Sequence, residues 1–317
     1  MEFAVETTGL GRRYGKNWAV RELNLQIKKG EVFGLVGPDG AGKTTTIRML
    51  GGIVPPSTGS IRVAGVDVVA NPERVKELIG YVPQRFALYE DLTVQENMDF
   101  FADVYGVPRD IRKARQLRLL EFSRLEAFRD HLAQKLSGGM KRKLSLACTL
   151  IHQPEVLLLD EPTTGVDPIS RRELWEILQR LLQEGTTVLY CTPYMDEAER
   201  CNRVAFLAGG RILACDEPRR LKGQIAVTVL ELDASPSRLA LEIARGTPDV
   251  EDVQSFGKKI HLAAGNADEV KSRLLVRLAA RGVDVADLRV VAPSLEDVFV
   301  RLSRLQPVAE RRGDQYI

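Results

Sequence analysis

Eight residues, "GPDGAGKT" (Gly37–Thr44), constrain this chain more than any other stretch. They follow an apolar run, "EVFGLVG", and precede a helical one, "KTTTIRMLGGI". The spacing is G-x-x-x-x-G-K-[ST] in the strand–loop–helix setting that this phosphate-binding motif requires. Glycines let successive backbone N–H groups curl around phosphate oxygens, and the helix N-terminus adds a favourable dipole. Lys43 is then placed to reach the terminal phosphates, and Thr44 offers a hydroxyl to Mg²⁺. Such a loop needs a parallel α/β sheet behind it. The pattern after Glu31 supplies one: short apolar strands such as "VLLLD" and "TTVLYCT" alternate with amphipathic helices such as "ISRRELWEILQRLLQEG".

Around this core the patterning changes. Residues 1–30 alternate apolar and polar, with a turn at Gly15-Lys16-Asn17, and predict an antiparallel edge region. "SIRVAGVDV" reads as one further strand. Residues 93–131 carry helical periodicity, and with "SGGMKRKLSLACTLIHQ" they form a helical insert spanning about 93–150. Near Leu221 the order becomes strand 225–233, helix 236–245, strands 250–256 and 259–263, helix 267–281, strand 285–291 and helix 294–304. That βαββαβ order predicts a ferredoxin-like α+β domain with a terminal helix. The expected division is therefore 1–221, 222–306 and a tail at 307–317.

Bulk properties exclude several classes. A net charge of +2 gives no footprint for nucleic acid. None of the four cysteines falls in a CxxC pair and only three histidines exist, so a protein metal cluster is not expected. No apolar run is long enough to span a membrane, and the start "MEFAVETTGL" carries no secretory pattern.

Two further motifs add chemistry. "VLLLDEP" ends a buried strand in Asp160, suited to hold Mg²⁺, and Glu161, suited to act as general base on water. "LSGGM" puts the Ser137 hydroxyl and the bare amides of Gly138 and Gly139 at a helix N-terminus, a second anion site. One chain needs only one complete cradle, so this second site makes sense if it closes over the nucleotide of another subunit.

The phosphate loop, "LSGGM" and "LLLDEP", in that order, resemble an ABC-transporter ATP-binding subunit over roughly residues 3–220. A short βα domain ending in "PSLEDVFVRL" resembles subunits of ABC-2-type exporters, the multidrug-type ATPases above all. The resemblance implies ATP and Mg²⁺ as cofactors and a nucleotide-binding set of Tyr14, Gly37, Pro38, Asp39, Gly40, Ala41, Gly42, Lys43, Thr44 and Thr45. From the other protomer it adds Ser137, Gly138, Gly139 and the "TTGVD" loop aspartate, Asp167. It makes Tyr14 the adenine-stacking aromatic and Gln84, in "YVPQ", a contact for Mg²⁺ and water. Catalysis would fall to Glu161, Gln84 and Lys43, and metal binding to Thr44, Gln84 and Asp160. The implied partners are a second ATPase domain, head to tail, and a separate ABC-2-type permease. The implied place is the cytoplasmic face of the membrane.

Two positions depart from the family pattern. Asp39 stands where asparagine is usual, and is expected to hold the loop as an Asx-type turn. Pro193, in "CTPYMDEAER", replaces the histidine that touches the γ-phosphate. Locally Pro193 suits a first helical position with Thr192 as N-cap. Functionally it predicts slow hydrolysis, or an inactive regulatory subunit beside an active partner. Tyr194, next in the chain, offers a phenolic hydroxyl as a donor; His131, His152 and His261 lie in other segments.

Overall fold

Alternation of buried apolar and exposed polar residues builds the first layer, and unbroken apolar runs build the second. The computed structural model describes residues 3–85, 87–224 and 228–304. The chain divides into two compact units after Glu217.

In the first unit, β1 (Phe3–Tyr14) and β2 (Asn17–Lys28) form a hairpin closed at Gly15-Lys16. β3 (Val32–Val36) is buried throughout and feeds α1 (Lys43–Leu50). The stretch read as one strand is two, β4 (Thr58–Val63) and β5 (Val66–Asp67). Ala64 and Gly65 both take positive φ, 49° and 79°. Two successive left-handed residues reverse the chain as a tight hairpin turn. Sheet order here is β2-β1-β4-β5, all antiparallel.

Next come α2 (Pro72–Leu78), β6 (Ile79–Val82), α3 (Val94–Val104), α4 (Arg109–Ser123) and α5 (Gly138–Leu150). They are followed by β7 (Val156–Asp160), α6 (Pro168–Gln183), β8 (Thr187–Thr192), the one-turn α7 (Met195–Ala198), β9 (Arg203–Ala208) and β10 (Arg211–Asp216). The second sheet runs β10-β9-β3-β8-β7-β6, parallel except for β10.

α1 lies between the two sheets. Its Ile47, Met49 and Leu50 join Leu10, Leu25 and Ile27 of the antiparallel sheet and Leu35, Leu158 and Leu189 of the parallel one in a single buried cluster. Trp175 of α6 covers the opposite face against Tyr190, with ring centroids 4.8 Å apart. The helical insert has its own core, in which Val94 and Met98 of α3 and Leu120 of α4 meet Leu144 and Cys148 of α5. Thr93 and Glu96 cap α3 reciprocally.

The second unit opens with α8 (Pro218–Gly223) and continues as β11 (Thr228–Ser235), α9 (Ser237–Arg245), β12 (Val250–Phe256), β13 (Lys259–Ala264), α10 (Ala267–Ala279), β14 (Asp284–Val291) and α11 (Leu295–Arg304). Strand order β12-β13-β11-β14, all antiparallel, is the ferredoxin-like arrangement expected from the sequence. Residues 225–227, the start of the expected strand 225–233, and the expected tail 307–317 lie outside the described residues. α9 and α10 supply Ala240, Ile243, Leu274 and Leu278 to one side of this sheet.

α11 is held by charge. His261 on β13 lies between Asp297 (3.2 Å) and Glu231 (3.3 Å), with the Phe256 ring beside it. Lys259 and Arg289 also pair with Glu231. The hydrogen bond to Asp297 raises the pKa of His261, against the effect of burial, and Glu231 adds to the rise. Lys259 first, then Arg289 and His261, pull Glu231 down to about 2. Burial alone would raise Asp297, but hydrogen bonds from His261 and Ser294 outweigh it and its pKa falls. A histidine pKa raised by folding stabilises fully below its unfolded value, and that stability is lost as pH rises through the folded one. Hydrogen-exchange protection of α11 should therefore exceed that of His261→Asn at about pH 6, and the two should converge by about pH 9. Equal protection at both pH values would contradict this pairing.

Candidate functional site

The loop after β3 is shaped by steric limits on its glycines. A Cβ at Gly37 would stand 2.1 Å from the carbonyl oxygen of Leu207, and one at Gly42 would stand 2.4 Å from that of Ala19. Gly42 also takes φ 107°, open to glycine and strained for other residues. Gly37 N–H donates to Thr192 O at 3.3 Å, and Ala41 N–H donates to Pro38 O at 3.2 Å. The latter bond closes the turn that Asp39 was expected to hold. Asp39 is exposed, and among the described residues its carboxylate takes no hydrogen bond from the loop. The backbone turn has already used the amide an Asx turn would need, so the Asx reading is corrected.

Lys43 opens α1 and is buried. Its ammonium donates to Gly37 O (2.8 Å) and Pro38 O (3.0 Å), and forms an ion pair with Glu161 Oε1 at 3.2 Å. Thr44 Oγ1 donates to Asp160 Oδ1 at 3.0 Å, and Thr45 follows half-buried on the same turn. Gln84 Nε2 donates to Glu161 Oε2 at 3.1 Å. Parallel pairing of β3, β8 and β7 brings these ends together.

Glu161 itself takes φ 48°, a left-handed conformation that costs about 1–3 kcal/mol in a non-glycine residue. Its N–H is held by Cys191 O at 3.0 Å. The turn swings Glu161 away from the strand line, so adjacent carboxylates serve different atoms: Asp160 faces Thr44, and Glu161 faces Lys43 and Gln84. Burial, and secondarily Glu161, raise the pKa of Asp160, while Thr44, Arg48 and Lys43 oppose the rise.

A buried carboxylate beside a hydroxyl, with a carboxamide on the neighbouring acid, is an oxygen set that suits a hard cation such as Mg²⁺. Among the described residues no cluster of three or more His, Cys, Asp or Glu can hold a metal by itself. A cation held here would draw its remaining ligands from water or from a bound phosphate.

The remaining predicted residues lie elsewhere. Ser137 caps α5 by accepting from Met140 N–H at 3.2 Å, and Ser137 and Gly138 are exposed. Gly139 presses on α6: a Cβ there would lie 2.2 Å from Ser170 Oγ and 3.3 Å from Asp167 Oδ2. Asp167 caps α6 through the N–H groups of Ile169 and Ser170; the Ser170 side chain first, and then these N–H groups, lower its pKa. Among the described residues no hydrogen bond or ion pair joins Ser137–Gly139 or Asp167 to residues 37–44. Tyr14 ends β1 with about half its surface exposed and the Arg12 guanidinium 4.7 Å from its ring centre.

The reading of "CTPYMDEAER" as a helix entry is corrected. Thr192 is the last residue of β8 and α7 begins at Met195, so Thr192 is not the N-cap and Pro193 is not the first helical residue. Thr192 Oγ1 instead accepts from Tyr194 N–H (3.0 Å) and donates to the buried Glu197 (2.6 Å), which captures the hydroxyl. Tyr194 lies under Arg171, 5.1 Å from guanidinium to ring centre. His131 packs on Phe128, His152 stacks on Tyr105, and His261 belongs to the second unit.

Two residues were missed. Arg142, 3% exposed on α5, donates to Pro83 O (2.8 Å) and Gln84 O (2.9 Å), tying the "LSGGM" helix to the Gln84 backbone. In sequence it sits in a Lys-Arg-Lys run that reads as a solvated face. Glu197 reads equally well as a first-turn helix acid.

Residues 20–164 match the ABC transporter family, and residues 217–303 match the ATP-binding protein DrrA1-3-like C-terminal domain. The chain is 36% identical to the linearmycin resistance ATP-binding protein LnrL of Bacillus subtilis over 94% of this chain and 98% of that one. The chain belongs to the ABC-transporter ATP-binding family. It is 44% identical to the probable multidrug ABC transporter ATP-binding protein YbhF of Escherichia coli over 90% of this chain, and spans 49% of that protein's length. Among solved structures, the dimeric post-hydrolysis state of the ATP-binding cassette MJ0796 bound to ADP and Pi superposes with a TM-score of 0.62 at 26% identity, covering 67% of this chain and 98% of that one.

A raised carboxylate pKa means that the folded protein disfavours the charge at neutral pH. Asp160→Asn should raise the Tm of the nucleotide-free protein, because the amide keeps the shape without the disfavoured charge. It should also abolish the Mg²⁺-dependent part of any ATP-induced shift. A fall in the nucleotide-free Tm would contradict this account.

Proposed function

We propose that this chain is the ATP-hydrolysing motor of an ABC exporter, driving a separate ABC-2-type permease. The observation that carries the reading is the convergence of Lys43 and Gln84 on Glu161 beside the Thr44–Asp160 pair. Backbone amides of 37–43 would cradle the β- and γ-phosphates, Lys43 would pair with them, and Tyr14 would stack on adenine. Thr44, Asp160 and Gln84 would hold Mg²⁺, which neutralises charge on the phosphates when bound.

The three N–H donors of Lys43 are committed to Gly37 O, Pro38 O and Glu161, so a contact to phosphate replaces one of them, and the exchange assigned here is with Glu161. Drawn to the γ-phosphate it releases Glu161, whose freed carboxylate takes a proton from water as that water attacks phosphorus and ADP leaves. The exposed Ser137–Gly139 amides and Asp167 fit the role of closing over a second cassette's nucleotide, head to tail. The dimeric MJ0796 cassette supports this assembly.

No helix among the described residues is long and apolar enough to cross a membrane, in keeping with a separate permease. The place assigned is the inner face of the membrane, peripheral through that permease.

Pro193 supports slow turnover. It has no donor, and loss of one transition-state donor costs about 10²–10³ in rate. Tyr194, turned to Arg171, is a weak substitute. The same proline favours a second reading, a catalytically weak regulatory subunit beside an active partner.

Steady-state hydrolysis by the purified chain separates the two. The motor reading predicts slow Mg²⁺-dependent turnover, lowered about 10²–10⁴-fold by Glu161→Gln and raised by Pro193→His. Turnover indistinguishable from Glu161→Gln would support the regulatory reading. A Pro193→His rate equal to the wild type would sink the histidine account.

A further inference from the structure

The residues already assigned leave one buried carboxylate beside the site unused. Glu197 on α7 is 1% exposed. Its Oε1 accepts from Thr163 Oγ1 and its Oε2 from Thr192 Oγ1, each at 2.6 Å. Arg171 Nε stands 3.5 Å from Oε1. Burying a carboxylate is costly without such partners, and an apolar side chain of similar volume would pack at lower cost. The charge therefore calls for a reason beyond packing.

Each contact ends on a different wall of the site. Thr163 lies two residues after Glu161, in the turn that Glu161 opens at φ 48°. Thr192 receives the phosphate loop through Gly37 N–H on its carbonyl, and steers the Pro193 turn by accepting Tyr194 N–H on its hydroxyl. Arg171 lies on α6, its N–H bonded to Asp167 O at 2.9 Å. Short bonds to an ionised acceptor are about twice as strong as neutral ones. One side chain thus holds the turn after the acid, the strand end that carries the loop, and the helix that follows Asp167.

We propose that Glu197 is a positioning residue for ATP hydrolysis: it fixes the Glu161 turn against the end of β8 and links both to the helix after Asp167. The proposal rests on the reading of Glu161 as the base. Glu197 touches no reacting atom in this role.

The test compares wild type, Glu197→Ala and Glu197→Gln for hydrolysis and ATP affinity, and repeats Glu197→Ala in a Glu161→Gln background. Glu197→Ala should lower kcat about 10–100-fold, the range a misplaced catalytic group costs, while the ATP Kd moves less than about threefold. Glu197→Gln keeps the shape but sets an –NH₂ donor against one of the two hydroxyls and removes the charge, so its kcat should fall between those of Glu197→Ala and the wild type. With Glu161 already replaced, Glu197→Ala should lower the residual single-turnover rate less than about twofold, since the group through which it acts is gone.

An equal loss in both backgrounds, a loss confined to KM, or an unchanged kcat overturns the proposal. If Glu197→Ala does not fold, Thr163→Val removes one of the two bonds and should show a smaller kcat loss with the same pattern; an unchanged kcat there overturns the proposal as well. A wild type without Mg²⁺-dependent hydrolysis refutes the functional reading and this inference together. A hydrolysing wild type with unaffected Glu197 variants refutes this inference alone.

Discussion

Two adjacent carbonyls at the end of β8 organise the site. Cys191 O accepts Glu161 N–H from the β7 side, and Thr192 O accepts Gly37 N–H from the β3 side. These bonds continue the parallel ladders that pair Asp160 with Cys191 and Val36 with Thr192. The phosphate loop and the two acids therefore have a fixed separation set by strand spacing and not by side-chain choice. Because β8 is buried along its whole length, those carbonyls have no solvent alternative, and shifting either loop would strand a buried acceptor.

On that frame the charges are arranged for exchange. Lys43 is held by two loop carbonyls and by Glu161, so the ammonium already stands over the loop before phosphate arrives. Asp160 is the reverse case, an acid whose burial opposes its charge, a cost that a bound divalent cation would relieve. Arg142 extends the connection outward by holding the Pro83 and Gln84 carbonyls from the helix that begins with "LSGGM". Asn97, fully buried, ties the following loop through Tyr89 in the same manner.

Legibility in the sequence followed the physical reason for each residue. The loop at 37–44 was readable because backbone chemistry permits few alternatives: Gly37 and Gly42 stand against carbonyls where no Cβ fits. The ferredoxin-like order was readable from period and length alone. The β4–β5 break depended on two left-handed residues that local propensity understates. Thr192 was misread as a cap because its real partner, Glu197, competes for the same hydroxyl. Arg142 and Glu197 were invisible for a common reason. Their partners Pro83 and Thr163 are far away in sequence, and a charged side chain carries no local sign that the fold will bury it.

The account stands or falls on whether the Lys43–Glu161 pair opens for nucleotide. Isothermal titration of the purified chain with Mg-ATP, beside Lys43→Ala, tests it most directly. The account predicts wild-type binding in the range of about 1 µM–1 mM and a loss of at least about tenfold in the variant, since a buried charge-assisted contact to phosphate contributes about 1.5–3 kcal/mol. Equal affinities in the two proteins would contradict it, because the loop would then bind nucleotide without the ammonium it holds in place.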